Sequence, residues 1–308
     1  MGLKDKFCLG AWNVGIIESG IADIFDNPNQ FKIRWVKHRY RDRYFADPFL
    51  YKQDEKYYYI LVEEYVFYED RGKISCLKVD RKTFELVNKE IILNEAHHLS
   101  FPFVREDWII PEGYKSGATY AYQELDGGKS YRRIKISDEA LIDPALLEYN
   151  DKYWLFATTK KVAADSVARL SIYYADRIGE FTPHEKNPVK IDIKTARPAG
   201  QFFRCRGKLF RPVMDCEQSY GHSIRIMEVE KLSVAEFHEK EVLALTSQDA
   251  YYNRGFHTFN VYDGFILVDG YREYFDYLRK PLFVMGGRLL LSLLNKFDNQ
   301  GKKICEFW

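Results

Sequence analysis

The stretch ADPFLYKQDEKYYYILVEE, residues 46–64, decides the fold, because its pattern returns four more times along the chain. Each copy has a start that resembles X-Pro, an apolar strand, a polar turn and a second strand that ends in a polar residue. The other copies are SFPFVREDWIIPE (100–112), LIDPALLEYNDKYWLFATT (141–159), ARPAGQFFRCRGKLFRPVMDC (196–216) and FHTFNVYDGFILVDGY (256–271).

The spacing of these copies predicts a β-propeller. The anchor residues of successive copies are 54, 42, 54 and 60 residues apart, and a four-stranded propeller blade takes about 40–50 residues. Their anchors are Pro48, Pro102, Pro144, Pro198 and Thr258. Alternating segments between the copies, such as 73–79 and 223–230, supply further strands. We therefore predict an all-β, five-bladed β-propeller; the alternative, a pair of β-sandwiches, is disfavoured by the likeness of the five copies.

Two segments flank the predicted blades. A strand at 11–17 is expected to complete the last blade and so close the ring. Near the other end, apolar residues step by three or four and predict a short amphipathic helix. These residues are Leu282, Met285, Leu289, Leu293 and Phe297. We therefore expect a propeller over residues 1–280 and a helix with a tail over 281–308. The helix packs on the propeller or, through 281–297, makes a peripheral membrane contact.

Composition narrows the class of protein further. Among the 308 residues, 46 Lys and Arg balance 45 Asp and Glu for a net charge of +1, so no overall field attracts nucleic acid. The 23 Tyr and 22 Phe favour β-structure. The first residues carry no secretory signal pattern, and the five cysteines lack close pairing, which is typical of a reducing compartment. We therefore expect a cytoplasmic protein, with the terminal helix as the candidate for membrane association.

The residue before each anchor carries the candidate chemistry. In chain order these residues are Asp47, Phe101, Asp143, Arg197 and His257. Because proline restricts the preceding residue to extended backbone, we predict that they begin the inner strands at matching places and approach one axis. The far ends of the hairpins add a second set of polar residues. This set consists of Glu63 or Glu64, Glu112, Asp215 and Asp269.

Several carboxyl groups close to one Arg and one His suit acid–base work on a hydroxyl-rich substrate. Carboxylates a few ångströms apart cannot all ionise, so one keeps a proton near neutral pH while another stays ionised. Glycoside cleavage or transfer uses that division of roles. We predict Asp47 and Asp143 as catalytic, with either Asp215 or Glu112 as the acid. The substrate-binding candidates are Glu63, His98, Ser100, Arg197, Tyr220 and His257.

A basic and aromatic stretch, HRYRDRY at 38–44, precedes Asp47. Phosphate or nucleotide binding is one interpretation of this composition. A solvated strand edge that leads into Asp47 is the simpler one, and we expect it.

Taken together, the motifs resemble one known family. They are Ala46-Asp47-Pro48-Phe49, His98-Leu99-Ser100-Phe101-Pro102, Pro111-Glu112, Asp143-Pro144, Arg197-Pro198-Ala199-Gly200, Asp215-Cys216, Tyr220-Gly221 and His257-Thr258. In this order they are similar to the N-terminal domain of plant glucosamine inositolphosphorylceramide transferase, over roughly residues 8–275. That family also includes stand-alone bacterial proteins and resembles in fold the five-bladed clan of invertases, fructosidases and arabinanases.

The resemblance to this clan implies roles for single residues. Asp47 is similar to the nucleophile or base of the first blade, and Asp143 to the aspartate that stabilises the transition state, although Ile142 stands where the clan has Arg. Asp215-Cys216 resembles the Glu-Cys motif of the acid, with Asp in place of Glu. Glu112 is therefore the reserve candidate. The residues themselves predict no metal or cofactor, and clan analogy alone allows a central Ca²⁺ near His257.

Two hypotheses about function remain open at this point. The chain is either an enzyme that cleaves or transfers a glycosidic linkage in surface glycan or glycolipid synthesis, or a non-catalytic glycan-binding module that assists a sugar-modifying partner. In the plant proteins the resemblance attributes transferase chemistry to another domain. A peripheral membrane scaffold that uses the terminal helix is a third idea. The expected partner is a glycan or an activated sugar, and not a nucleic acid.

Overall fold

A computed structural model describes residues 8–162 and 165–276 of the chain. Within this part, five antiparallel sheets of four or five strands follow one another along the sequence. Each sheet is one blade of a propeller, which confirms the predicted architecture.

The elements are as follows, in chain order. Before the first blade lie β1 (Cys8–Ile17), α1 (Ile21–Asp26) and β2 (Ile33–Trp35). Blade 1 contains β3 (Arg43–Gln53), β4 (Tyr57–Val66), β5 (Arg71–Asp80) and β6 (Leu86–Leu93). Blade 2 contains β7 (Ser100–Arg105), β8 (Trp108–Glu112), a 3₁₀ turn (Tyr114–Ser116), β9 (Thr119–Leu125) and β10 (Ser130–Ser137).

The remaining elements complete the ring. Blade 3 contains β11 (Ile142–Tyr149), β12 (Lys152–Thr158), α2 (Asp165–Ala168), β13 (Arg169–Ala175), β14 (Thr182–Pro183) and β15 (Lys190–Ile191). Blade 4 contains β16 (Phe203–Cys205), β17 (Lys208–Asp215), β18 (Ser223–Leu232) and β19 (Phe237–Leu245). Blade 5 contains β20 (Phe259–Tyr262) and β21 (Phe265–Phe275), which pair with β1 and β2.

The strand near the start of the chain closes the ring, as predicted. β1 pairs with β21 along its whole length, so that Trp12 lies opposite Tyr271 and Val14 opposite Asp269. β2 then adds the outer strand of the same blade. Because the two ends of the propeller are hydrogen-bonded to each other, the blades cannot separate without breaking this ladder.

Apolar side chains between neighbouring blades hold the ring together. Five buried clusters fill the five seams of the described chain, from blades 1 and 2 around to blades 5 and 1. One example is the seam of blades 5 and 1, where Ile16 and Leu267 pack with Phe45 and Ile60. Burying each such side chain contributes about 1.5–3 kcal/mol. The apolar residues that alternate along the predicted strands are therefore the ones that pack one blade against the next.

Three further observations concern the termini and the thiols. Within the described ranges, no helix is long and apolar enough to cross a membrane. The predicted helix at 281–297 and the boundary at residue 280 lie outside the described residues. Cys76, Cys205 and Cys216 are buried as free thiols, as expected from their spacing.

Candidate functional site

The inner strands of blades 1, 2 and 3 start with the same distortion. Asp47, Phe101 and Asp143 adopt left-handed backbone conformations with φ of 52°, 42° and 48°, although each precedes proline. The prediction of extended backbone at these three residues is therefore wrong. The reason is a bulge in each strand, since the register with the neighbouring strand shifts at Ala46/Phe49, Ser100/Phe103 and Ile142/Ala145. Two of these bulged residues direct backbone N–H groups towards carboxylates at the axis.

Asp47 is bonded to two other blades. Its Oδ2 accepts a hydrogen bond from the Phe101 amide at 3.0 Å, and its Oδ1 accepts one from the Thr258 hydroxyl at 3.1 Å. The Asp47 amide in turn donates to Asp269 Oδ2 at 3.0 Å. The carboxylate of blade 1 is thus fixed by backbone and hydroxyl donors from blades 2 and 5.

His257 stands between two of these carboxylates. Its Nδ1 lies 2.7 Å from Asp269 Oδ2, and its Nε2 lies 3.7 Å from Asp47 Oδ1. The Trp12 indole stacks on the imidazole at 3.7 Å with an angle of 10° between the planes. Burial opposes the charge of the imidazole, but the Asp269 carboxylate and its hydrogen bond outweigh burial and raise the pKa of His257. A protonated imidazole is also the form that the indole face attracts.

Arg197 and two acids form the other side of the site. The guanidinium Nε donates to Asp143 Oδ2 at 2.5 Å, and Nη2 lies 3.8 Å from Glu112 Oε2. The remaining donors of Arg197 bond the Ser166 carbonyl at 2.8 Å and the Tyr220 hydroxyl at 3.1 Å. Burial and the Asp143 charge raise the pKa of Glu112 well above its usual range, and the Arg197 charge opposes them. Glu112 is therefore the acid at Arg197 that keeps its proton near neutral pH.

Glu63 joins the group from the end of β4. Its Oε1 lies 3.3 Å from His98 Nε2, and His98 Nδ1 accepts the Gly72 amide at 2.9 Å. Burial, helped by the Lys115 charge, lowers the pKa of His98 to about 4, so the imidazole is neutral and donates its Nε2–H to Glu63. Glu64 faces away, into ion pairs with Arg43 and Lys89. Of the two residues that the sequence left open, Glu63 therefore lies at the axis and Glu64 does not.

The acids at the axis are more numerous than the bases. Five carboxyl groups act on one another here, while the described residues supply two cationic partners, Arg197 and His257. Those carboxyl groups are Asp47, Glu63, Glu112, Asp143 and Asp269. Burial and the neighbouring carboxylates raise the pKa of Glu63 and of Glu112 well above the usual range.

Two further carboxyl groups of the cluster behave differently. Burial raises the pKa of Asp47 to about 6, with the Asp269 charge adding to it and His257 opposing it. Burial acts in the same direction on Asp269, but its charge contact and hydrogen bond with His257 prevail and lower its pKa. The site therefore contains acids whose pKa is raised, one acid whose pKa is lowered beside His257, and Asp47, which is half-protonated near pH 6.

The other predicted residues take different places. Asp215 accepts hydrogen bonds from Arg225 (Nε at 2.8 Å and Nη2 at 2.7 Å) and from the Glu217 amide, and in the described part of the chain it is not bonded to the axial acids. Ser100 is buried opposite Glu112 in the β7–β8 ladder. Tyr220 is half-exposed at the rim, with the Arg197 guanidinium 5.0 Å from its ring.

A metal ion could be considered only at Asp47, His257 and Asp269, the one set of donors in the described ranges that lies within 4.8 Å. These residues do not fit Ca²⁺. Asp269 accepts three backbone N–H groups and the imidazole, and both oxygens of Asp47 already accept hydrogen bonds. Ca²⁺ also takes oxygen ligands rather than imidazole nitrogen. The raised pKa of His257 favours a proton at this position.

Sequence reasoning missed part of the site. It assigned no role to Trp12 or to the carbonyl of Ser166, and it gave Thr258 only the role of an anchor. Trp12 could have been found, because a closing strand at 11–17 must lie beside the strand that carries Asp269. The contact of Arg197 with Ser166 depends on the path of the β12–β13 connection, for which the sequence has no signal.

Comparison with known proteins agrees with this arrangement of motifs. A family model described as "Glucosamine inositolphosphorylceramide transferase 1, N-terminal" matches residues 25–265. The protein of that name from Oryza sativa subsp. japonica is 32% identical over 214 residues, which is 66% of this chain and 28% of the rice protein. The Arabidopsis thaliana protein is also 32% identical over 214 residues, covering 65% of this chain and 27% of its own length.

Among solved structures, a family 117 glycoside hydrolase of the marine bacterium Zobellia galactanivorans aligns with a TM-score of 0.48 at 11% identity. The alignment covers 87% of this chain and 91% of that one. This chain spans about a quarter of the length of the curated relatives that it matches. The family model covers most of the chain, from within α1 to the first residue of β21. The chain therefore belongs to the family of the N-terminal domain of glucosamine inositolphosphorylceramide transferase 1.

Proposed function

We propose that the axial site binds a sugar and cleaves or transfers its glycosidic bond, with Glu112 as the proton donor and Asp47 as the general base. The observation that carries the proposal is the meeting of Glu112 and Asp143 at Arg197, in one buried group with Asp47. Burial and the neighbouring carboxylates raise the pKa of Glu112 well above its usual range and that of Asp47 to about 6. A matched acid and base of this kind is what glycoside chemistry needs. Membership of the family supports a carbohydrate-related function in general.

In this proposal each residue has a distinct task. Glu112 is the most exposed of the five axial carboxyl side chains, at 14%, and its proton passes to the leaving oxygen as the C–O bond breaks. Asp143, held by Arg197, positions Glu112 and keeps the proton on it. Asp47 removes the proton of the attacking water or sugar hydroxyl. We assign Asp47 as a base rather than a nucleophile because donors already occupy both of its oxygens.

The substrate class follows from the family and from the rim of the site. The curated relatives are named glucosamine inositolphosphorylceramide transferases, and we propose that this chain likewise acts on a sugar or glycolipid. The half-exposed Tyr220 offers an aromatic ring on which a sugar can stack, next to Arg197 and His257.

A panel of activated glycosides and nucleotide sugars tests the proposal, with turnover and binding measured separately. Glu112→Gln and Asp47→Asn are expected to lose about 10²–10⁴-fold in turnover while they still bind the ligand. Asp215→Asn is the matched comparison, because this buried acid is paired with Arg225 and keeps its turnover if Glu112 is the acid. The acidic limb of the pH–rate profile is expected near pH 6, from Asp47. Normal turnover in both Asp47→Asn and Glu112→Gln would refute the mechanism.

One observation favours a second function, a non-catalytic glycan-binding module. The chain covers only 28% of the rice relative, so transferase chemistry in that protein has ample room elsewhere. If this second function holds, the same variants change ligand affinity, and the parent protein turns over none of the panel.

A further inference from the structure

The seam between blades 5 and 1 carries a group of cations that is separate from the axial site. The connection from β2 to β3 contributes Lys37, Arg39 and Arg41, and β21 contributes Arg272. Within residues 8–162 and 165–276, none of the four has a recorded ion pair with a carboxylate, whereas Asp42 in the same connection is paired with Arg43. This is the stretch for which the sequence predicted a solvated strand edge. The structure instead places 38–42 outside any strand.

Arg272 is held by aromatic rings instead of an acid. Its guanidinium carbon lies 4.1 Å from the ring centre of Tyr251, 4.9 Å from that of Tyr274 and 5.3 Å from that of Tyr252. Its Nε is buried and has no hydrogen-bond partner in the described part of the chain. Rings stacked on the planar faces of a guanidinium leave its edge N–H groups free to donate.

His38 completes the group on the other side of the seam. It lines a surface groove with Lys37, Arg39 and Tyr40, and its buried Nδ1 also lacks a partner among the described residues. Burial and the charges of Arg272 and Arg41 lower the pKa of His38 to about 4. Burial, with the Arg41 charge adding to it, likewise lowers the pKa of Arg272. The cations therefore repel one another. Glu85 lines the same groove, but among the described residues it has no ion pair with any of the four cations.

We propose that this seam is a second binding site, for a phosphate group, in which Arg41 and Arg272 donate to its oxygens. Guanidinium groups match phosphate in geometry and bind it through paired hydrogen bonds. A dianionic phosphate monoester supplies the missing negative charge, and the exposed rings of Tyr40 and Tyr251 flank the seam, where a ring that carries the phosphate would lie. The phosphate belongs either to a soluble molecule or to a lipid headgroup, and both present the same chemistry.

The whole chain with Arg41→Gln and Arg272→Gln combined tests this site against the parent protein. Arg204→Gln is the matched control, because Arg204 is exposed, lies over a single tyrosine ring at 5.8 Å and has no recorded ion pair in the described chain. Affinity for inorganic phosphate is measured by calorimetry. Affinity for a lipid source is measured by co-sedimentation with phosphatidylcholine vesicles that contain a phosphoinositide monophosphate.

We expect the double variant to lose about tenfold or more in affinity for at least one of the two probes, and Arg204→Gln to lose none. Without phosphate, the double variant is expected to melt at a higher temperature than the parent, since the repulsion is relieved. In the parent, the phosphate that binds raises the melting temperature. Binding to inorganic phosphate identifies a soluble ligand, and binding to the vesicles alone identifies a lipid.

Either of two results would overturn the proposal. One is that the parent binds neither probe; the other is that the double variant and Arg204→Gln bind as the parent does. The site is also independent of the chemistry proposed for the axis. Asp47→Asn is therefore expected to keep its phosphate affinity, so a failure of one proposal is distinguishable from a failure of the other.

Discussion

Blade 4 and the axis both bury carboxylates, but they neutralise them in opposite ways. In blade 4, Glu239 accepts two hydrogen bonds from Arg211, at 2.6 and 2.9 Å, and one from Lys190 at 2.5 Å. Arg211 and Glu239 are 0% and 1% exposed. Burial opposes ionisation of Glu239, but the two cations prevail and lower its pKa. At the axis, five carboxyl groups share one Arg and one His, and burial raises the pKa of Glu63, Glu112 and Asp47.

This difference distinguishes a buried charge that stabilises the fold from a buried acid that can take part in a reaction. A buried acid that serves only the fold has cationic partners that outnumber it, as Glu239 does. A buried acid with too few cationic partners keeps its proton near neutral pH, and stability alone does not explain why such a group is buried. Groups with a perturbed pKa of this kind are typical of functional sites. The comparison teaches that burial by itself does not mark a site; the balance of charge around the buried group does.

The largest effect that distinguishes the two regions is expected in stability. Glu239→Gln leaves Arg211 and Lys190 without a counter-charge, so the free energy of unfolding should fall by about 3–5 kcal/mol. Glu112→Gln removes an acid that is already protonated and leaves Arg197 paired with Asp143, so stability should be retained or increased. Urea unfolding at pH 7 measures both. An equal loss in the two variants would mean that the axis is an ordinary ion-pair network.

A smaller effect separates two neighbours on β4. Glu64→Gln removes the partner of Arg43 and Lys89 and should cost about 1–3 kcal/mol. Glu63→Gln, one residue earlier, removes the cost of protonating a buried acid on folding at pH 7 and should stabilise the protein by about 1 kcal/mol. Thermal and urea unfolding of the two variants provide the measurement. Destabilisation by Glu63→Gln of the same size as by Glu64→Gln would contradict the assignment of Glu63 to the axis.

The smallest effect is the dependence of stability on pH. The folded pKa of Asp47, about 6, exceeds its ordinary value of 3.8, so its contribution is fully present below 3.8 and is lost as pH rises through 6. The raised pKa of His257 acts in the same direction. Asp47→Asn removes this contribution, so the difference in free energy of unfolding between the parent and this variant should increase as pH falls from 6 to 5, with a slope of about 1.4 kcal/mol per pH unit. The variant serves as the reference because the lowered pKa of His38 and of His98 acts in the opposite direction in both proteins.

A slope of the opposite sign would show that the axial acids are ionised in the folded protein. The acids with lowered pKa, Asp269, Glu64 and Glu239, lose their contribution only below their ordinary range near 4, outside this window.

The blades and the meeting of Asp47 with Asp143 could be predicted because both follow from a repeat. A motif that recurs once per blade returns to the same radial position in each blade. Closure by the strand at 11–17 followed from the same logic, since the last copy lacked its outer strands. These features follow from the spacing of the repeated motifs, which can be measured in the sequence itself.

The local electrostatics could not be predicted in the same way. Alternation along β4 says that Glu63 and Glu64 face opposite sides, but the bulge at Asp47 decides which one reaches the axis. The pairing of Asp215 with Arg225 depends on the register of β17 and β18, in which Ser223 lies opposite Asp215. The left-handed backbone at Asp47, Phe101 and Asp143 contradicts the usual preference before proline, and hydrogen bonds from other blades accompany it.

Infrared difference spectroscopy of the carboxyl groups at pH 7 tests the charge balance at the axis most directly. Protonated carboxyl groups absorb separately from carboxylates, so the retained protons are observed without any substrate. We expect a protonated-carboxyl band in the parent protein that is reduced in Glu63→Gln and in Glu112→Gln and is unchanged in Glu64→Gln. A parent spectrum without this band, or a band of equal strength in all three variants, would contradict the account.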